Sequence, residues 1–323
     1  MRIAVTAQSV SKNPVLRREL LELFPDCVFN EHLSHPGPAD LARLLADCDG
    51  AVVGLEGVDA GLLCRLPRLK IISKYGVGLD NLDLAACARH GVMVGWTPGL
   101  NRLAVAEMTL GMMLALSRHM VLTCHRLKDG CWEKTVGAEL TGKTVGIIGL
   151  GHVGREIARL LEPFHCRILV NDILDLSAYC GPRGFTRAAK SRIWKEADLV
   201  TIHTPLTPRT RGLVGREVLS RMKKTAFLIN TARGPIVDPK ALKWALTEGV
   251  IAGAALDVYC EEPPQDKEFL NLPHLLCTPH RAGSSREAVL AMGRSAIAHL
   301  ERFFLGGGGR LRPGGAGSHG GRK

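Results

Sequence analysis

The strongest constraint on the fold is the stretch of residues 144–154, where a short apolar run breaks into three spaced glycines. Residues 145–148 are typical of a buried parallel strand, and the apolar periodicity after the glycines predicts a helix. Gly149, Gly151 and Gly154 have the spacing of the dinucleotide-binding fingerprint. In that motif the first glycine allows a tight turn, the second lets the backbone approach a pyrophosphate, and the third lets helix and strand pack closely. We therefore predict a dinucleotide-binding domain built around this turn.

An acidic residue supports this interpretation of the glycines. The next predicted strand, residues 167–171, ends at Asp172, eighteen positions beyond Gly154. A carboxylate at this position hydrogen-bonds the adenosine ribose and repels a 2′-phosphate, so it favours NAD over NADP. The alternative interpretation is a glycine turn that binds nothing, followed by a solvated aspartate at a strand end.

The composition excludes several other classes of protein. No apolar run is long enough to cross a bilayer, and the chain enters a strand at once without a signal-peptide pattern, so we expect a cytoplasmic protein that does not bind membranes. The ten cysteines are scattered without a C-x-x-C pair, which predicts reduced thiols and no metal site. The net charge of +11 is not accompanied by basic runs interleaved with aromatics. We expect no nucleic-acid partner, and a modest attraction for an anionic small-molecule substrate.

The order of predicted strands and helices indicates an α/β protein with two doubly wound parallel-sheet domains. A flavodoxin-like substrate domain is expected over residues 1–98, completed by a helix at 284–305, and a Rossmann nucleotide domain over 99–283. The glycine-rich, basic residues 306–323 are predicted to form a disordered tail. The very apolar helix predicted at 103–116 should be buried between the domains or against a second subunit, which suggests a homodimer.

Polar side chains follow several predicted strands of the nucleotide domain. In a doubly wound sheet, ligands bind at the carboxyl ends of the strands, so these residues should line one crevice. Arg233, Glu262 and His280 would give that crevice a cation, a carboxylate and an imidazole. Each has an ordinary explanation by itself, as a surface arginine, a loop glutamate or a turn-capping histidine, but together they form a candidate site.

The chain resembles the D-isomer-specific 2-hydroxyacid dehydrogenases, and among them the phosphoglycerate dehydrogenases. The resemblance covers residues 1 to about 304 and rests on several motifs that occur in the family's order. These are residues 74–81 (KYGVGLDN), the glycine fingerprint, 229–238 (INTARGPIVD), 255–259 (ALDVY), 262–263 (EP) and 278–280 (TPH).

The resemblance implies a function and a role for each site residue. It implies hydride transfer between NAD and C2 of a small D-2-hydroxy acid or 2-oxo acid, such as 3-phosphoglycerate, hydroxypyruvate or glyoxylate. Arg233 would bind the substrate carboxylate, His280 would act as the acid/base, and Glu262 would hydrogen-bond the imidazole. Further substrate contacts would come from Lys74, Val77 and Gly78. The implied cofactor-binding residues are Gly149, Gly151, His152, Val153, Gly154, Asp172, His203, Thr204, Pro205, Thr231, Ala232, Asp257 and Gly283.

Three positions bear on the choice of substrate. Lys74 stands where phosphoglycerate enzymes of the family often have an arginine, so it could contact a phosphate, although less effectively than arginine. Arg281 follows His280 where the family usually has a small or apolar residue, and it either adds a cation at the site or points to solvent. Arg102 is another possible anion contact.

Two alternative functions use the same scaffold. Transcriptional corepressors share the fold, the NAD site and the Arg-Glu-His set, and would use the cofactor as a sensor, although no peptide-binding or nuclear signal resembles theirs. The second alternative function is that of a dehydrogenase acting on a small inorganic or one-carbon anion, such as phosphite or formate. The Glu262–His280 pair argues against formate, whose oxidation releases no hydroxyl proton, and leaves phosphite possible. The sequence does not identify the hydroxy acid, the favoured direction or the size of the oligomer.

Overall fold

The protein is described by a computed structural model that covers residues 1–33 and 36–306. The strands are β1 Ile3–Val5, β2 Cys27–Phe29, β3 Gly50–Val53, β4 Ile71–Lys74, β5 Met93–Gly95, β6 Thr144–Ile148, β7 Arg167–Asn171, β8 Thr186–Arg187, β9 Leu199–Ile202, β10 Phe227–Asn230, β11 Gly253–Leu256 and β12 Leu275–Cys277. The α-helices are α1 Gln8–Ser11, α2 Pro14–Leu23, α3 Pro38–Leu45, α4 Ala60–Leu63, α5 Leu84–Arg89, α6 Arg102–Ser117, α7 Met120–Lys128, α8 His152–Leu161, α9 Ser177–Cys180, α10 Lys190–Glu196, α11 Arg216–Arg221, α12 Pro239–Thr247, α13 Lys267–Leu270 and α14 Arg286–Phe304.

The chain divides into two compact units. The first comprises Met1–Asn101 with Ser285–Lys323, and the second comprises Arg102–Ser284. Apart from Gly306, the tail that the sequence predicts to be disordered lies outside the described residues. The ten cysteines are all free thiols.

The first unit contains a five-stranded parallel sheet with the order β2-β1-β3-β4-β5. This is the flavodoxin-like order, in which the chain reverses its direction across the sheet at β1 and β3. Helix α14 covers one face of this sheet beside α2. Gly293 of α14 allows close packing, since a Cβ there would lie 2.3 Å from Leu16 Cδ1. The last described helix therefore completes the core of the first unit.

The second unit contains a seven-stranded parallel sheet with the order β12-β11-β10-β9-β6-β7-β8. The chain runs outward from β6 through β7 to β8, and then returns to the other side of β6 as β9. This is the Rossmann order with one additional strand, and its switch point lies between β6 and β9. Apolar layers cover both faces of the sheet. The predicted α/β class with two doubly wound parallel sheets is confirmed.

Helix α6 is buried within its own unit along one stripe. The stripe packs against α8, β10 and β11 and consists of Val105, Ala106, Thr109, Met112, Met113, Leu116 and Ser117. No single helix of the described residues is long and apolar enough to span a bilayer. Helices α6 and α7 taken together have the length and apolar composition of a membrane-spanning segment, but the chain bends by 62° at their junction.

Some local elements differ from those predicted. Strand β4, Ile71–Lys74, includes the first residue of the 74–81 motif, so Lys74 belongs to the strand and not to the following loop. Strand β2 and helix α7 were not predicted. Helix α7 has no buried residues, so its sequence lacks the apolar stripe on which a prediction would depend.

Candidate functional site

The fingerprint glycines lie at the end of β6 and are required for two different reasons. Gly149 has φ +95°, and a Cβ on it would lie 2.6 Å from the carbonyl oxygen of His203. A Cβ on Gly154 would lie 2.1 Å from the carbonyl oxygen of Gly149. At Gly151 a Cβ would meet no heavy atom of the described residues within 4 Å. Packing thus requires the first and third glycines, whereas the second keeps space open for a ligand.

Helix α8 begins directly after this space. Its N-cap is Gly151, so no side chain caps the first backbone N–H groups. The predicted cofactor residues His152 and Val153 are the first two residues of the helix. Uncapped N–H groups and the positive end of the helix dipole favour an anion such as a pyrophosphate at this position.

Asp172 follows β7, at the carboxyl edge of the same sheet. Its Oδ2 accepts a hydrogen bond of 2.7 Å from the backbone N–H of Leu150, inside the fingerprint turn, and its Oδ1 accepts one of 2.9 Å from Leu174. Asp172 therefore also holds the glycine turn in place. An open pocket of about 480 Å³ lies beside it, lined by Val170, Asn171, Asp172, Arg187, Ala188 and Ala189.

The segment after β9 contains an unsatisfied polar atom. The Thr204 hydroxyl is buried and has no hydrogen-bond partner among the described residues. An unmade hydrogen bond of this kind is costly, which is consistent with a ligand partner. The neighbouring His203 has its Nε2 2.6 Å from the Thr201 hydroxyl, and burial of the ring lowers its pKa to about 3, so it stays neutral at physiological pH. Pro205 is exposed at the start of the loop that follows.

The segment after β10 is held by a buried asparagine. Asn230 is fully buried; its Oδ1 accepts from the Ala232 N–H at 3.0 Å, and its Nδ2 donates to the Arg233 carbonyl at 2.8 Å. The Thr231 hydroxyl lies 3.1 Å from the Thr109 hydroxyl of α6. Asn230 therefore fixes the backbone on which Arg233 is carried.

These features fit a bound NAD. Gly151 and the start of α8 would hold the pyrophosphate, Asp172 the ribose, and Thr204 would make a hydrogen bond that the protein leaves unmade. Within the described chain, no group of three or more His, Cys, Asp or Glu side chains could hold a metal ion.

Asp257 organises the loop after β12. It is 1% exposed, and its two carboxylate oxygens accept hydrogen bonds from the Thr278 hydroxyl at 2.6 Å, the Arg281 N–H at 2.9 Å and the Ala282 N–H at 2.8 Å. Its carbonyl oxygen accepts from the His280 N–H at 2.8 Å. The resemblance implied a cofactor contact for Asp257. In the structure its carboxylate is occupied within the protein and shapes the loop that carries His280.

His280 and Glu262 are joined by a direct hydrogen bond. His280 Nδ1 lies 2.7 Å from Glu262 Oε2, while Glu262 Oε1 accepts from the Tyr259 N–H at 3.0 Å. His280 has φ +46°, in the left-handed region that non-glycine residues seldom occupy and that often marks functional sites. Because Nδ1 is engaged, Nε2 is the nitrogen that can exchange a proton.

The charges around Glu262 keep its carboxylate ionised. Burial alone would raise the pKa of Glu262. The hydrogen bonds from His280 and from the Tyr259 backbone, with the positive charges of His280 and Arg233, outweigh burial and lower the pKa below its ordinary value of 4.5. The sequence-predicted Arg233, Glu262 and His280 thus belong to one electrostatic cluster.

The side chain of Arg233 is oriented by its own backbone. Its Nη1 donates to the Ala232 carbonyl at 2.7 Å, and the side chain is half-buried. Arg281 is exposed, and Arg102 lies 3.7 Å from the Glu156 carboxylate in a surface ion pair. Gly283 is half-buried beyond the His280 loop.

The predicted substrate residues Lys74, Val77 and Gly78 belong to the first unit. Lys74 is 3% exposed, and its Nζ donates to the Gly54 carbonyl and, at 2.6 Å, to Asn81 Oδ1. The amine is therefore held inside the unit. Val77 and Gly78 lie in the half-buried loop after β4.

Three residues near these loops have contacts that the sequence did not predict. Asn230 was recognised only as part of the 229–238 motif and Asp257 only as an implied cofactor contact, whereas in the structure both hold loops through hydrogen bonds. Trp96 lies outside the motifs that carried the prediction, and its Nε1 donates to the Val77 carbonyl at 3.0 Å.

Comparison with known proteins places this geometry in context. Residues 110–282 match the sequence model of the D-isomer specific 2-hydroxyacid dehydrogenase NAD-binding domain. The chain is 37% identical to human D-3-phosphoglycerate dehydrogenase over 283 residues, 87% of this chain and 52% of that protein. It is 39% identical to a glyoxylate reductase of Thermofilum pendens over 282 residues, 84% of this chain and 83% of that protein. The chain thus spans about half the length of the curated phosphoglycerate dehydrogenases it matches.

A solved structure agrees with the fold. The NAD-dependent formate dehydrogenase of Staphylococcus aureus, in complex with NAD, is 29% identical with a TM-score of 0.84, and the match covers 96% of this chain and 97% of that one.

Proposed function

The chain belongs to the D-isomer-specific 2-hydroxyacid dehydrogenases, and from this premise we propose that it is an NAD-dependent oxidoreductase acting on a small D-2-hydroxy acid or 2-oxo acid. The observation that carries the proposal is the 2.7 Å contact between His280 Nδ1 and Glu262 Oε2, in the same unit as the dinucleotide fingerprint. A hydroxy acid dehydrogenase needs a hydrogen-bonded imidazole and carboxylate with a second ring nitrogen for proton transfer, and this contact supplies them. A sensor of the corepressor type has the same Arg-Glu-His set, so measured turnover of a 2-oxo acid is what distinguishes the two functions.

Each member of the trio has a distinct role. Bound NAD supplies the hydride acceptor and, when reduced, the hydride donor. His280 takes the hydroxyl proton of the hydroxy acid during oxidation and returns it to the oxo group during reduction. Glu262 fixes the tautomer of the ring and favours its charged form. Arg233 binds the substrate carboxylate with two parallel hydrogen bonds, which its planar guanidinium can make.

The loop of Val77 and Gly78 would bind an acid group of the substrate through backbone N–H donors. This assignment follows the family resemblance, and the half-buried position of the loop at the carboxyl end of β4 supports it.

For the substrate we propose an unphosphorylated 2-oxo acid, such as glyoxylate or hydroxypyruvate. The position of Lys74 supports this choice, because its amine is buried and bound to Gly54 and Asn81. To bind a phosphate, the buried ammonium group of Lys74 would have to leave those two partners, and the loss of their hydrogen bonds is unfavourable. The 39% identity to a glyoxylate reductase agrees with this choice. 3-Phosphoglycerate is the second candidate, on the basis of the relatives at 37% identity.

A panel of 2-oxo acids assayed with NADH tests the proposal. We expect turnover of glyoxylate or hydroxypyruvate, and a much lower kcat/KM for phosphohydroxypyruvate. Turnover of phosphohydroxypyruvate alone would leave the enzyme class intact and reverse the choice of substrate. No turnover of any oxo acid, with NADH still bound, would favour the sensor.

We also propose a homodimer. The buried stripe of α6 is already used within its own unit, so the surface available to a second subunit consists of exposed apolar side chains around α6 and α7. These are Leu103, Met120, Val121, Leu127, Trp132 and Val136. Several exposed apolar side chains within one stretch of the chain support an interface between subunits, where they would be removed from water. Light scattering that shows a monomer at micromolar concentration would contradict the homodimer.

The cytoplasmic location expected from the sequence stays a prediction.

A further inference from the structure

The loop of residues 75–80 in the first unit is held at its base and at its centre. At the base, Lys74 and Asn81 on either side of the loop are joined by a hydrogen bond of 2.6 Å. Asn81 Nδ2 also donates to the Glu56 carbonyl at 2.6 Å. At the centre, the indole Nε1 of Trp96 donates to the Val77 carbonyl at 3.0 Å.

We propose that Trp96 is a positioning residue that directs the Gly78 N–H toward the acid group of the substrate. The inference rests on the proposed function, in which Val77 and Gly78 bind that group. The carbonyl of Val77 and the N–H of Gly78 belong to one planar peptide unit, and in a trans unit they point in opposite directions. A hydrogen bond that fixes the Val77 carbonyl therefore also fixes the direction of the Gly78 N–H.

The loop needs such a restraint because of its glycines. Gly76 has φ +126°, a conformation that residues with a side chain rarely adopt. Glycine is also the residue that loses most conformational freedom when it is ordered, and this loop contains two, Gly76 and Gly78. Without the indole, the peptide between Val77 and Gly78 would rotate more freely, and binding of the acid group would have to order it.

Trp96 is itself rigidly mounted. It lies between Gly95, the last residue of β5, and Thr97. A Cβ on Gly95 would lie 2.6 Å from the Cβ of His299 in α14, so this backbone is packed tightly against the helix. The Thr97 hydroxyl accepts from the Ser295 hydroxyl at 2.9 Å and lies 3.0 Å from His299 Nε2. Helix α14 thus holds both neighbours of Trp96.

The sequence supports a specific use of tryptophan at this position. Trp96 is 37% exposed, so core packing does not require so large an apolar residue here. Its indole has a single N–H donor, and the Val77 carbonyl accepts it. A phenylalanine would keep most of the ring's packing and lose only that donor.

The substitution Trp96→Phe tests the inference by separating KM from kcat. The acid group is bound equally in the ground state and the transition state, so loss of its alignment should mainly raise KM. We expect a rise in KM for glyoxylate or hydroxypyruvate of roughly three- to tenfold, the range of one neutral hydrogen bond. The kcat, the Kd for NADH and the Tm should stay close to those of the wild type. Trp244→Phe, at a half-buried tryptophan of the second unit whose ring lies under Arg216, is the matched control and should change none of them.

Each other outcome has a definite meaning. An unchanged KM in an active Trp96→Phe enzyme overturns the inference and leaves the proposed function intact. A lowered Tm with an unchanged KM would show that Trp96 only stabilises the fold, and also overturns it. A wild-type enzyme that turns over no 2-oxo acid overturns the proposed function and the inference together.

Discussion

His280 Nδ1 lies 2.7 Å from Glu262 Oε2, although 18 residues separate the two along the chain. The pairing depends on two loops that are held in place by hydrogen bonds. Asp257 binds the loop that carries His280, and the Tyr259 N–H binds the other carboxylate oxygen of Glu262. A partly exposed carboxylate thus faces one ring nitrogen and leaves the other for proton transfer.

The pH dependence of 2-oxo acid reduction should report this pair. The pKa of Glu262 is lowered in the folded protein, so the carboxylate is charged at neutral pH and favours the protonated imidazole. Its contribution to stability is present above the ordinary carboxyl pKa of 4.5 and is lost as the pH falls through the lowered folded-state value. Glu262→Gln removes the charge, so the decline of kcat/KM on the alkaline side should begin at lower pH than in the wild type. A pH–rate profile identical to that of the wild type would show that Glu262 does not support His280.

Arg233 should not be replaceable by lysine. Arg233→Ala removes the carboxylate clamp and should raise KM and lower kcat together. Arg233→Lys should stay roughly tenfold or more below the wild type in kcat/KM, because a point charge cannot make two parallel hydrogen bonds. Arg221→Lys, in the exposed ion pair with Glu217, is the matched control and should have no effect. Full activity of Arg233→Lys would exclude a bidentate clamp.

Asp172 should set the preference for NADH over NADPH. Its carboxylate lies at the ribose end of the fingerprint and cannot share space with a 2′-phosphate. The kcat/KM for NADH should be much higher than the kcat/KM for NADPH, and Asp172→Ala should reduce the difference between the two values. Arg187 lines the same pocket, but it is paired with Asp175 at 2.6 Å, so it should not provide a phosphate site by itself. Equal kcat/KM values in the wild type would refute the assignment.

The fingerprint glycines should separate folding from cofactor binding. A Cβ on Gly149 would collide with His203 at a positive φ, so Gly149→Ala should lower the Tm. A Cβ on Gly151 meets no atom of the described residues within 4 Å, so Gly151→Ala should fold with a nearly unchanged Tm but bind NADH more weakly. Thermal unfolding of both variants measures the Tm, and a fluorescence titration with NADH measures their affinity for the cofactor. Normal NADH affinity in Gly151→Ala would mean that the pyrophosphate does not approach this glycine.

The sequence was most informative where structure depends on local pattern. The β6–glycine–α8 turn and Asp172 follow from spacing and strand ends, and the clustering of Arg233, Glu262 and His280 follows from the rule that the carboxyl ends of parallel strands meet at one edge.

Contacts between distant residues were harder to predict. The family resemblance implied that Lys74 contacts an anionic substrate, and nothing local in the sequence indicated its burial, since lysine is rarely buried. Its burial depends on Gly54 and Asn81, and Gly54 lies 20 residues away in the chain. The role of Trp96 depends in the same way on Val77, 19 residues earlier, and on helix α14. Neither arrangement has a local signature.

The most direct test of the central claim is the activity of His280→Ala in the reduction of glyoxylate or hydroxypyruvate, measured beside its affinity for NADH. If His280 transfers the proton, kcat should fall by roughly a hundredfold or more while the Kd for NADH stays near that of the wild type. A His280→Ala enzyme that keeps full activity would contradict the catalytic assignment.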